Sequence, residues 1–546
     1  MPSSPTLPQE LEEKLSAIEK ERIEQQAKDL AKANKLSYIN IAINPIEPEA
    51  LALISEEDSH TGQIGVISRD GKKLRVVTVD PANLVAQKMV GRLSAEGFSV
   101  IISIISSLGI QKIWQKYQEL PKLSEEQLGT VAIDPEVFSV VQKEIKNIAD
   151  LKEKLAGLSV TNVLEIVLAG AIKIGASDIH LEPEEKMVRI RYRLDGVLND
   201  VVEVGHDNYF KILARIKINS RLKLNIHHSP QDGRFTVNYL EKVIEIRTSV
   251  LPGAYGENVV MRILDPEEIK QKIEELGLSE NNFTLIKRLL QKTTGAILTT
   301  GPTGSGKTTT LYAFINHVNE PGLKIITIED PVEYHIKGIS QTQVDPAKGY
   351  TFAGGLRAIV RQDPDVILVG EIRDGETAEI AMQASLTGHL VFSTLHTNDA
   401  AGAIPRLIDL GVKPVSIAPA LNVVMAQRLV RKLCPECKKK RTVTKEELEE
   451  LKKELPNTSK DLSEKTDIFA VGQCAQCNFT GYRGRIGIFE IFEVDNEMEK
   501  LILKSPAVSE MREAAMAKGM LTMQQDGYLK ILAGTTSIEE VQRVVG

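Results

Sequence analysis

Residues 295–310, GAILTTGPTGSGKTTT, constrain the fold of this chain more than any other stretch of its sequence. They contain the pattern G-x-x-x-x-G-K-[ST], whose fixed positions are filled by Gly301, Gly306, Lys307 and Thr308. The apolar residues 296–300 predict a buried strand, and residues 309–318 predict a helix. A strand, a glycine-rich loop and a helix in this order indicate a phosphate-binding loop in an α/β domain, whereas a glycine-rich turn that matches by chance needs neither flanking element.

The composition of this loop predicts how it binds a nucleotide. Glycines let backbone N–H groups curl around the β- and γ-phosphates, and the following helix adds a favourable dipole. Lys307 neutralises phosphate charge, and the Thr308 hydroxyl can hold Mg²⁺. We therefore predict that ATP is contacted by Gly301, Pro302, Thr303, Gly304, Ser305, Gly306, Lys307, Thr308 and Thr309.

Length and charge limit the class of protein. A chain of 546 residues is too long for one core, and about 150 residues per domain predicts three or four domains. The net charge of -7 and the 4% of aromatic residues lack the basic surplus and stacking surface of a general nucleic-acid binder. We expect no direct nucleic-acid partner.

Two stretches bear on location. The most apolar window, residues 100–110, is far shorter than the roughly 20 residues of a membrane-spanning helix. The acidic, polar N-terminus has no apolar signal core, so we expect a cytoplasmic protein whose membrane association comes only through partners.

The order of motifs predicts the domain plan. Residues 11–35 have a thin apolar stripe typical of a solvated helix, with a docking helix as the alternative. The predicted segments are an N-terminal α/β docking domain at 1–120, a helical linker at 121–158, a second domain at 159–265, and an ATPase domain at 266–546 that carries a zinc-binding segment at 430–490.

The second domain contains the strand VRIRYRL. Alternation places Val188, Ile190, Tyr192 and Leu194 on one face and Arg189, Arg191 and Arg193 on the other. An ordinary solvated sheet face explains such arginines as well as a phosphate-binding surface does. With Arg221, Arg234 and Arg247, the domain nonetheless offers several guanidinium groups to a neighbour's phosphates.

Acidic and imidazole side chains follow three predicted strands of the ATPase domain. The strand at 324–328 is followed by Glu329, Asp330 and Glu333, the strand at 365–369 by Glu371, and the strand at 389–393 by His396. Ligands of open α/β sheets bind beyond the carboxyl ends of strands, so these groups should converge on the nucleotide. Glu371 can hold Mg²⁺ or polarise water, and a neutral His396 can sense the γ-phosphate. His389 and His396 also have ordinary structural interpretations.

Four cysteines form two C-x-x-C pairs separated by 36 residues. Cys434, Cys437, Cys474 and Cys477 can form a tetrahedral zinc site around a charged hairpin insertion, with two redox pairs or unliganded thiols as alternatives. Residues 419–429 before the first pair predict a helix, and residues 508–546 predict an all-α tail.

These residues resemble the secretion and type IV pilus assembly ATPase family, the hexameric motors of type II secretion and pilus extension. The resemblance covers about residues 160–546. It rests on the paired cysteines and on GASDIHLEP (175–183), PQDGR (230–234), GPTGSGKTTT (301–310), TIEDPVEY (327–334), RQDPDVILVGEIRD (361–374) and TGHLVFSTLHTNDA (387–400).

The resemblance implies a fold and a set of roles. The fold is a RecA-like P-loop ATPase core preceded by a PAS-like α/β domain and a small N-terminal α/β domain, with a Cys₄ zinc-binding insertion. Glu333 activates water, Glu371 is the acidic residue on Mg²⁺, and His396 belongs to a histidine box. The cofactors are ATP, Mg²⁺ and Zn²⁺. The partners are five further copies in a homo-hexamer and the inner-membrane platform and docking proteins of a pilus or secretion machine.

The positions of arginines in the sequence indicate whether one chain can complete the ATPase site alone. Few arginines of the ATPase domain are aimed at the γ-phosphate by sequence, the nearest being Arg357, Arg361 and Arg373. Phosphoryl transfer commonly needs an arginine, so we predict that Arg234 and Arg247 act across a subunit boundary in a closed ring. Two rival functions stay open: a DNA-uptake or conjugation motor, and a nucleotide-gated scaffold without turnover.

Overall fold

The computed structural model describes residues 9–41, 46–51, 53–95, 97–119, 129–155, 160–240, 242–267, 271–455 and 462–546. The chain forms two compact units, one made of Met1–Thr130 with Ala214–Gly233 and the other of Val131–Leu213 with Arg234–Gly546. Within the described ranges, no helix has both the length and the apolar character needed to cross a bilayer. The first eight residues of the predicted linker, 121–128, lie outside the described residues.

The first unit contains a four-stranded sheet in the order β1-β4-β3-β2, in which only β2 runs antiparallel to its neighbour. Strands and helices alternate along this part of the chain, as the predicted small N-terminal α/β domain requires. The elements are α1 Gln9–Ala33, β1 Ser37–Tyr38, α2 Pro48–Leu51, α3 Glu56–Gly62, β2 Ile64–Asp70, β3 Lys73–Thr78, α4 Leu84–Ala95, β4 Ser99–Ile104 and α5 Ser107–Glu119.

The described side chains of helix α1, from residue 19 onward, are mostly exposed, but a narrow stripe packs on this sheet. Ala27 and Ala31 are buried against Ile104. Glu24 accepts hydrogen bonds from the Tyr38 hydroxyl and, at 2.8 Å, from the Ser106 hydroxyl. The predicted solvated helix is therefore attached along one thin face.

Residues 130–264, most of which belong to the second unit, contain a seven-stranded sheet in the order β5-β9-β10-β11-β6-β7-β8. The neighbours from β10 through β11, β6 and β7 to β8 all pair antiparallel. The elements are β5 Thr130–Ala132, α6 Pro135–Glu144, α7 Ile148–Leu155, α8 Val160–Ile174, β6 Asp178–Pro183, β7 Val188–Leu194, β8 Val197–Val204, α9 His206–Asn219, β9 Gln231–Tyr239, β10 Lys242–Gly253 and β11 Gly256–Leu264.

Strand β7 has the predicted alternation, since its four apolar residues are buried and its three arginines are partly exposed. Each arginine has an acidic partner on the sheet: the Arg189–Glu184 distance is 2.6 Å, Arg191–Glu182 is 2.5 Å and Arg193–Asp178 is 3.2 Å. Internal ion pairs therefore account for much of this charged face.

The segment predicted to be a linker contains packed structure. Strand β5 belongs to the seven-stranded sheet, and helices α6 and α7 pack against α8. Val137, Val141, Leu151 and Leu155 are buried. The domain boundaries drawn from sequence remain predictions.

The ATPase part contains a second seven-stranded sheet, ordered β14-β13-β15-β16-β12-β17-β20. Six strands are parallel, and β20 is antiparallel to β17. The elements as far as β17 are α10 Glu280–Leu289, β12 Gly295–Thr300, α11 Lys307–Val318, β13 Ile325–Glu329, β14 Ser340–Gln343, α12 Phe352–Val360, β15 Val366–Val369, α13 Gly375–Leu386, β16 Leu390–Leu395, α14 Ala403–Asp409, α15 Pro414–Ala420 and β17 Leu421–Leu433.

The helix predicted at residues 419–429 is wrong. Helix α15 ends at Ala420, and the residues that follow form the 13-residue strand β17. The run Leu421–Gln427 is buried throughout, because β17 lies between β12 and β20. A continuously apolar run does not distinguish a buried strand from a buried helix, and here sheet packing decides for the strand.

The metal-binding segment is inserted between the antiparallel neighbours β17 and β20. Leu433 lies opposite Tyr482, so the insertion leaves and rejoins the sheet at adjacent positions. Strands β18 and β19 form the predicted hairpin ladder, with helix α16 between them. The remaining elements are β18 Lys439–Thr442, α16 Lys445–Glu454, β19 Asp467–Ala470, β20 Tyr482–Glu493, α17 Asn496–Ile502, α18 Val508–Ala517, α19 Met523–Leu532 and α20 Ile538–Val545. The last three helices confirm the all-α tail predicted at residues 508–546.

Candidate functional site

A cavity of about 710 Å³ lies beyond the carboxyl ends of β12, β13, β15 and β16. The loop at residues 303–306 and the first turns of α11 form one wall. The strand-end residues Glu329, Glu333, Glu371 and His396 form another, so the predicted convergence of these groups is present. Residues of the second sheet domain, including Asp178, complete the lining.

The phosphate-binding loop is held in shape by strand β17. Gly301 has φ +145° and Gly306 has φ +88°, which are conformations that favour glycine. A Cβ atom on Gly301 would lie 2.6 Å from the Gln427 carbonyl oxygen. The buried Thr310 hydroxyl donates to Gln427 Oε1 at 2.8 Å, which fixes helix α11 to the same strand. Sequence reasoning missed Gln427 because its segment was predicted to be helical.

Lys307 extends over the loop. Its ammonium donates to the carbonyls of Gly301 at 2.7 Å and Pro302 at 3.1 Å. Burial lowers the pKa of Lys307, and the Glu371 carboxylate opposes this effect. A partly desolvated cation among loop amides is suited to an anionic phosphate group.

Glu371 lies at the centre of the acidic wall. His396 Nε2 lies 2.8 Å from its Oε2, and Arg373 contacts its other oxygen. Burial favours the neutral carboxyl, but hydrogen bonds from His396 and Arg373 outweigh burial and lower the pKa of Glu371. Glu371 is thus held as a carboxylate facing the cavity.

Glu329, which follows the same strand as Glu333, has a structural role. It is 3% exposed and accepts hydrogen bonds from the Tyr312 hydroxyl, the Thr327 hydroxyl at 2.6 Å and Gln341 Nε2 at 3.2 Å. Both carboxylate oxygens of Glu329 therefore accept hydrogen bonds from other side chains of the protein.

Glu333 is bound by an arginine of its own chain. Arg247 Nη1 donates to Glu333 Oε2 at 2.6 Å, and Arg247 Nη2 donates to the Val332 carbonyl. Strand β10 of the same chain thus places Arg247 beside the acidic wall, and the action of Arg247 across a subunit boundary stays a prediction.

The two histidines differ. His389 Nδ1 lies 2.9 Å from the Ala384 carbonyl at the end of α13, which is the ordinary structural interpretation. His396 lines the cavity and contacts Glu371. Of the two, only His396 reaches the candidate site in the described structure.

Three arginines of the same chain line the cavity, of which the sequence singled out only Arg193. Arg193, Arg262 and Arg485 are among its walls. The 8%-exposed carboxylate of Asp178 is 3.2 Å from Nε of both Arg193 and Arg262, and so orients the two guanidinium groups. Arg193 and Arg262 belong to the second domain, so the interpretation that the ATPase domain supplies few arginines to the γ-phosphate stays a prediction. Arg234 is exposed and is not part of this lining.

The four cysteines converge as predicted. Their sulfur atoms all lie within 4.8 Å of one another. Cys434 and Cys474 are 3.8 Å apart, as are Cys437 and Cys477, and Cys474 and Cys477 are 3.6 Å apart. Four Zn–S bonds of about 2.3 Å in a tetrahedron place sulfur atoms roughly 3.8 Å apart, so this arrangement can hold a metal ion. The Gly481 N–H donates to Cys477 Sγ at 3.2 Å.

Comparisons with known proteins agree with this geometry. The family described as type II/IV secretion system protein matches residues 154–543. The type II secretion system ATPase E of Vibrio cholerae is 42% identical over 437 residues, which cover 79% of this chain and 84% of that protein. The type IV pilus assembly ATPase PilB of Myxococcus xanthus is 36% identical over 515 residues, which cover 94% of this chain and 89% of that protein.

One solved structure extends the comparison of folds. The ATPase DotB of Legionella pneumophila superimposes with a TM-score of 0.53 at 20% identity, covering 70% of this chain and 94% of that one. The likeness confirms the predicted multidomain α/β fold with a P-loop ATPase core.

Proposed function

The chain belongs to the type II/IV secretion system protein family, whose members are ATPase motors of pilus or secretion assembly, and from this premise we propose that it drives assembly of a type IV pilus. We choose a pilus over a secretion machine because of the share of the chain that each alignment covers. The alignment with the pilus ATPase covers 94% of the chain and so includes most of residues 1–130, whereas the 79% covered by the secretion ATPase requires only a small part of them. A shared N-terminal unit favours a shared docking partner.

The proposed reaction is attack of water on the γ-phosphate of ATP, which breaks the bond to the bridging β–γ oxygen and releases ADP and phosphate. Lys307 and the loop amides bind the β- and γ-phosphates, and Glu333 accepts the proton of the attacking water. Arg193 and Arg262, oriented by Asp178, stabilise the charge that develops on the phosphate oxygens. His396 keeps Glu371 ionised and positions it.

The oxygen donors present fit Mg²⁺. The Thr308 hydroxyl and the Glu371 carboxylate both line the cavity, and Mg²⁺ prefers such hard oxygen ligands together with phosphate oxygens. When bound, the ion would neutralise phosphate charge. The chain's own contribution is to hold Glu371 as a carboxylate through His396 and Arg373.

The closed set of four thiols supports structural Zn²⁺, held by Cys434, Cys437, Cys474 and Cys477. We assign the protein to the cytoplasmic face of the inner membrane, attached through platform and docking partners. Assembly into a ring of six, which the family resemblance implies, is part of the same proposal.

The enzymatic part is tested by steady-state phosphate release. Lys307→Ala should abolish turnover, and Glu333→Gln and Glu371→Gln should keep nucleotide binding but lose about 10²-fold or more in kcat. Lys445→Ala and Glu449→Gln, exposed substitutions on α16, are matched controls that should retain the parent rate. Parent-level turnover in any of the three site variants would refute the role of that residue.

The cellular part is tested by deleting the gene in its source organism. We expect loss of surface pili with normal export of secreted enzymes, and restoration by the parent gene but not by Lys307→Ala. Retained pili together with failed export would assign the motor to secretion instead.

A further inference from the structure

A second cavity, of about 410 Å³, lies beside the cysteine cluster and shares no lining residue with the nucleotide cavity. The end of helix α8 and the turn between β7 and β8 form one side. The cysteine knuckle at residues 476–480 and the start of β20 form the other. None of the roles assigned above uses this cavity.

Its lining carries an excess of positive charge. Four cations line it, namely Lys146, Lys173, Arg431 and Arg483, and one carboxylate, that of Asp195. Arg431 is already paired with Glu540 at 2.7 Å. After this pair and Asp195 are counted, about two positive charges are left without an acidic partner in the lining.

The lysines are close to each other. Lys173 is fixed at the wall, because its ammonium donates to the carbonyls of Val141 at 2.8 Å and Gln142 at 2.5 Å. Burial and the neighbouring Lys146 lower the pKa of Lys173, and Asp150 opposes them only in part. Among the described residues, neither Lys146 nor Arg483 has a carboxylate oxygen within 4 Å of its side-chain nitrogens.

We propose that this cavity binds a small dianionic phosphate, either inorganic phosphate or a phosphomonoester. A dianion matches the excess of two charges, and the planar fork of Arg483 suits phosphate oxygens. The volume lies within the range of about 300–1,000 Å³ typical of small-molecule sites.

The ligand would join the second sheet domain to the ATPase part. Two hydrogen bonds already connect these walls: Ile148 N–H to Asn478 Oδ1 and Gly484 N–H to Asp195 Oδ2, each at 2.8 Å. A phosphate held by Lys146 and Lys173 on one side and Arg483 on the other adds a third connection. Its binding therefore stabilises this arrangement of the two parts.

The test is calorimetric titration of inorganic phosphate into the full chain saturated with Mg²⁺ and a non-hydrolysable ATP analogue, which fills the phosphate-binding loop. We expect saturation at one phosphate per chain, weakened about tenfold or more by Lys146→Ala/Arg483→Ala. The exposed pair Lys143→Ala/Lys152→Ala, on α6 and α7 outside the cavity, should bind as the parent does.

Hydrogen exchange gives an independent measurement, in which phosphate should slow exchange at residues 476–484 in the parent and not in the double variant. A parallel titration with glycerol 3-phosphate distinguishes the two sources, since the tighter ligand identifies a free-ion or a monoester site. Absence of saturable phosphate binding with the loop filled, or equal affinity in the cavity variant and the control, would overturn the proposal.

Discussion

His396 is one of two groups that lower the pKa of Glu371 against the effect of burial, through the 2.8 Å contact between them. His396→Ala removes a donor that lowers the pKa of Glu371, so that pKa should rise. Because the proposed role of Glu371 needs its ionised form, the acidic limb of the kcat–pH profile should move to higher pH in this variant. The profile of His389→Ala should match the parent, since His389 contacts only the Ala384 carbonyl in the described structure. An acidic limb that stays in place in His396→Ala would contradict the assignment.

Single residues also show where sequence reasoning succeeds. Lys307, Glu333, Glu371 and His396 were predictable because they follow strands, and parallel strands deliver their ends to one edge of a sheet. Gln427 was not predictable, because its partner Thr310 is 117 residues away and only the folded sheet brings them together. Arg262 was missed for the same reason, since its orientation depends on Asp178 across the sheet.

Helix α20 is attached to strand β17 through a buried carboxylate. Glu540 is 1% exposed and is bound by Arg431 at 2.7 Å and Arg543 at 2.6 Å. Burial favours its neutral form, but the two arginines outweigh burial and lower the pKa of Glu540. Glu540→Gln removes the carboxylate that both arginines bind. The variant should therefore have an unfolding free energy about 3 kcal/mol lower than the parent at neutral pH.

The pH dependence of this cost has a definite sign. The folded-state pKa of Glu540 lies below the unfolded value of about 4.3, so the stabilisation is complete above that value and is lost as pH falls through the folded pKa. Denaturant titrations at several pH values should show the parent and Glu540→Gln converging on acidification. The exposed neighbour variant Glu539→Gln should follow the parent at every pH; a constant gap for Glu540→Gln would contradict the ion-pair account.

The cysteine segment should depend on its metal. We expect about one zinc per chain by elemental analysis of reduced, anaerobically prepared protein, because the sulfur spacing fits a tetrahedral site. Chelation should increase hydrogen exchange between residues 430 and 490 before it weakens ATP binding, since Cys₄ sites contribute folding energy locally. Protein that contains no zinc, or that loses ATP binding first, would favour the redox or unliganded alternative.

At the scale of elements, most of the ATPase sheet was predictable from apolar runs followed by polar residues. Strand β17 was not, because its buried run carries no periodicity that separates strand from helix. The short strand β5 was also missed, since three residues between charged helices give little pattern. Both elements take their conformation from neighbouring strands.

Over the whole molecule, the arginines around the nucleotide cavity predict which defects can complement one another. Arg262 lines the cavity of its own chain, so mixing Lys307→Ala chains with Arg262→Ala chains should restore no activity, even when co-assembly is verified. Arg234 is exposed and remains the candidate for action across a subunit boundary, so Lys307→Ala mixed with Arg234→Ala should recover part of the parent rate. Recovery in the first mixture would contradict a site completed within one chain.

The pairing of Leu433 with Tyr482 across neighbouring strands affects how the metal-binding segment can evolve. Everything between them enters and leaves the catalytic sheet at a single point, so a short turn could replace it without changing strand order. A lineage can therefore change the length of the metal-binding segment at this one junction, provided that the face of α19 on which α16 and β19 pack stays covered. Diversity among relatives should accumulate at this junction far faster than in the sheet beneath it.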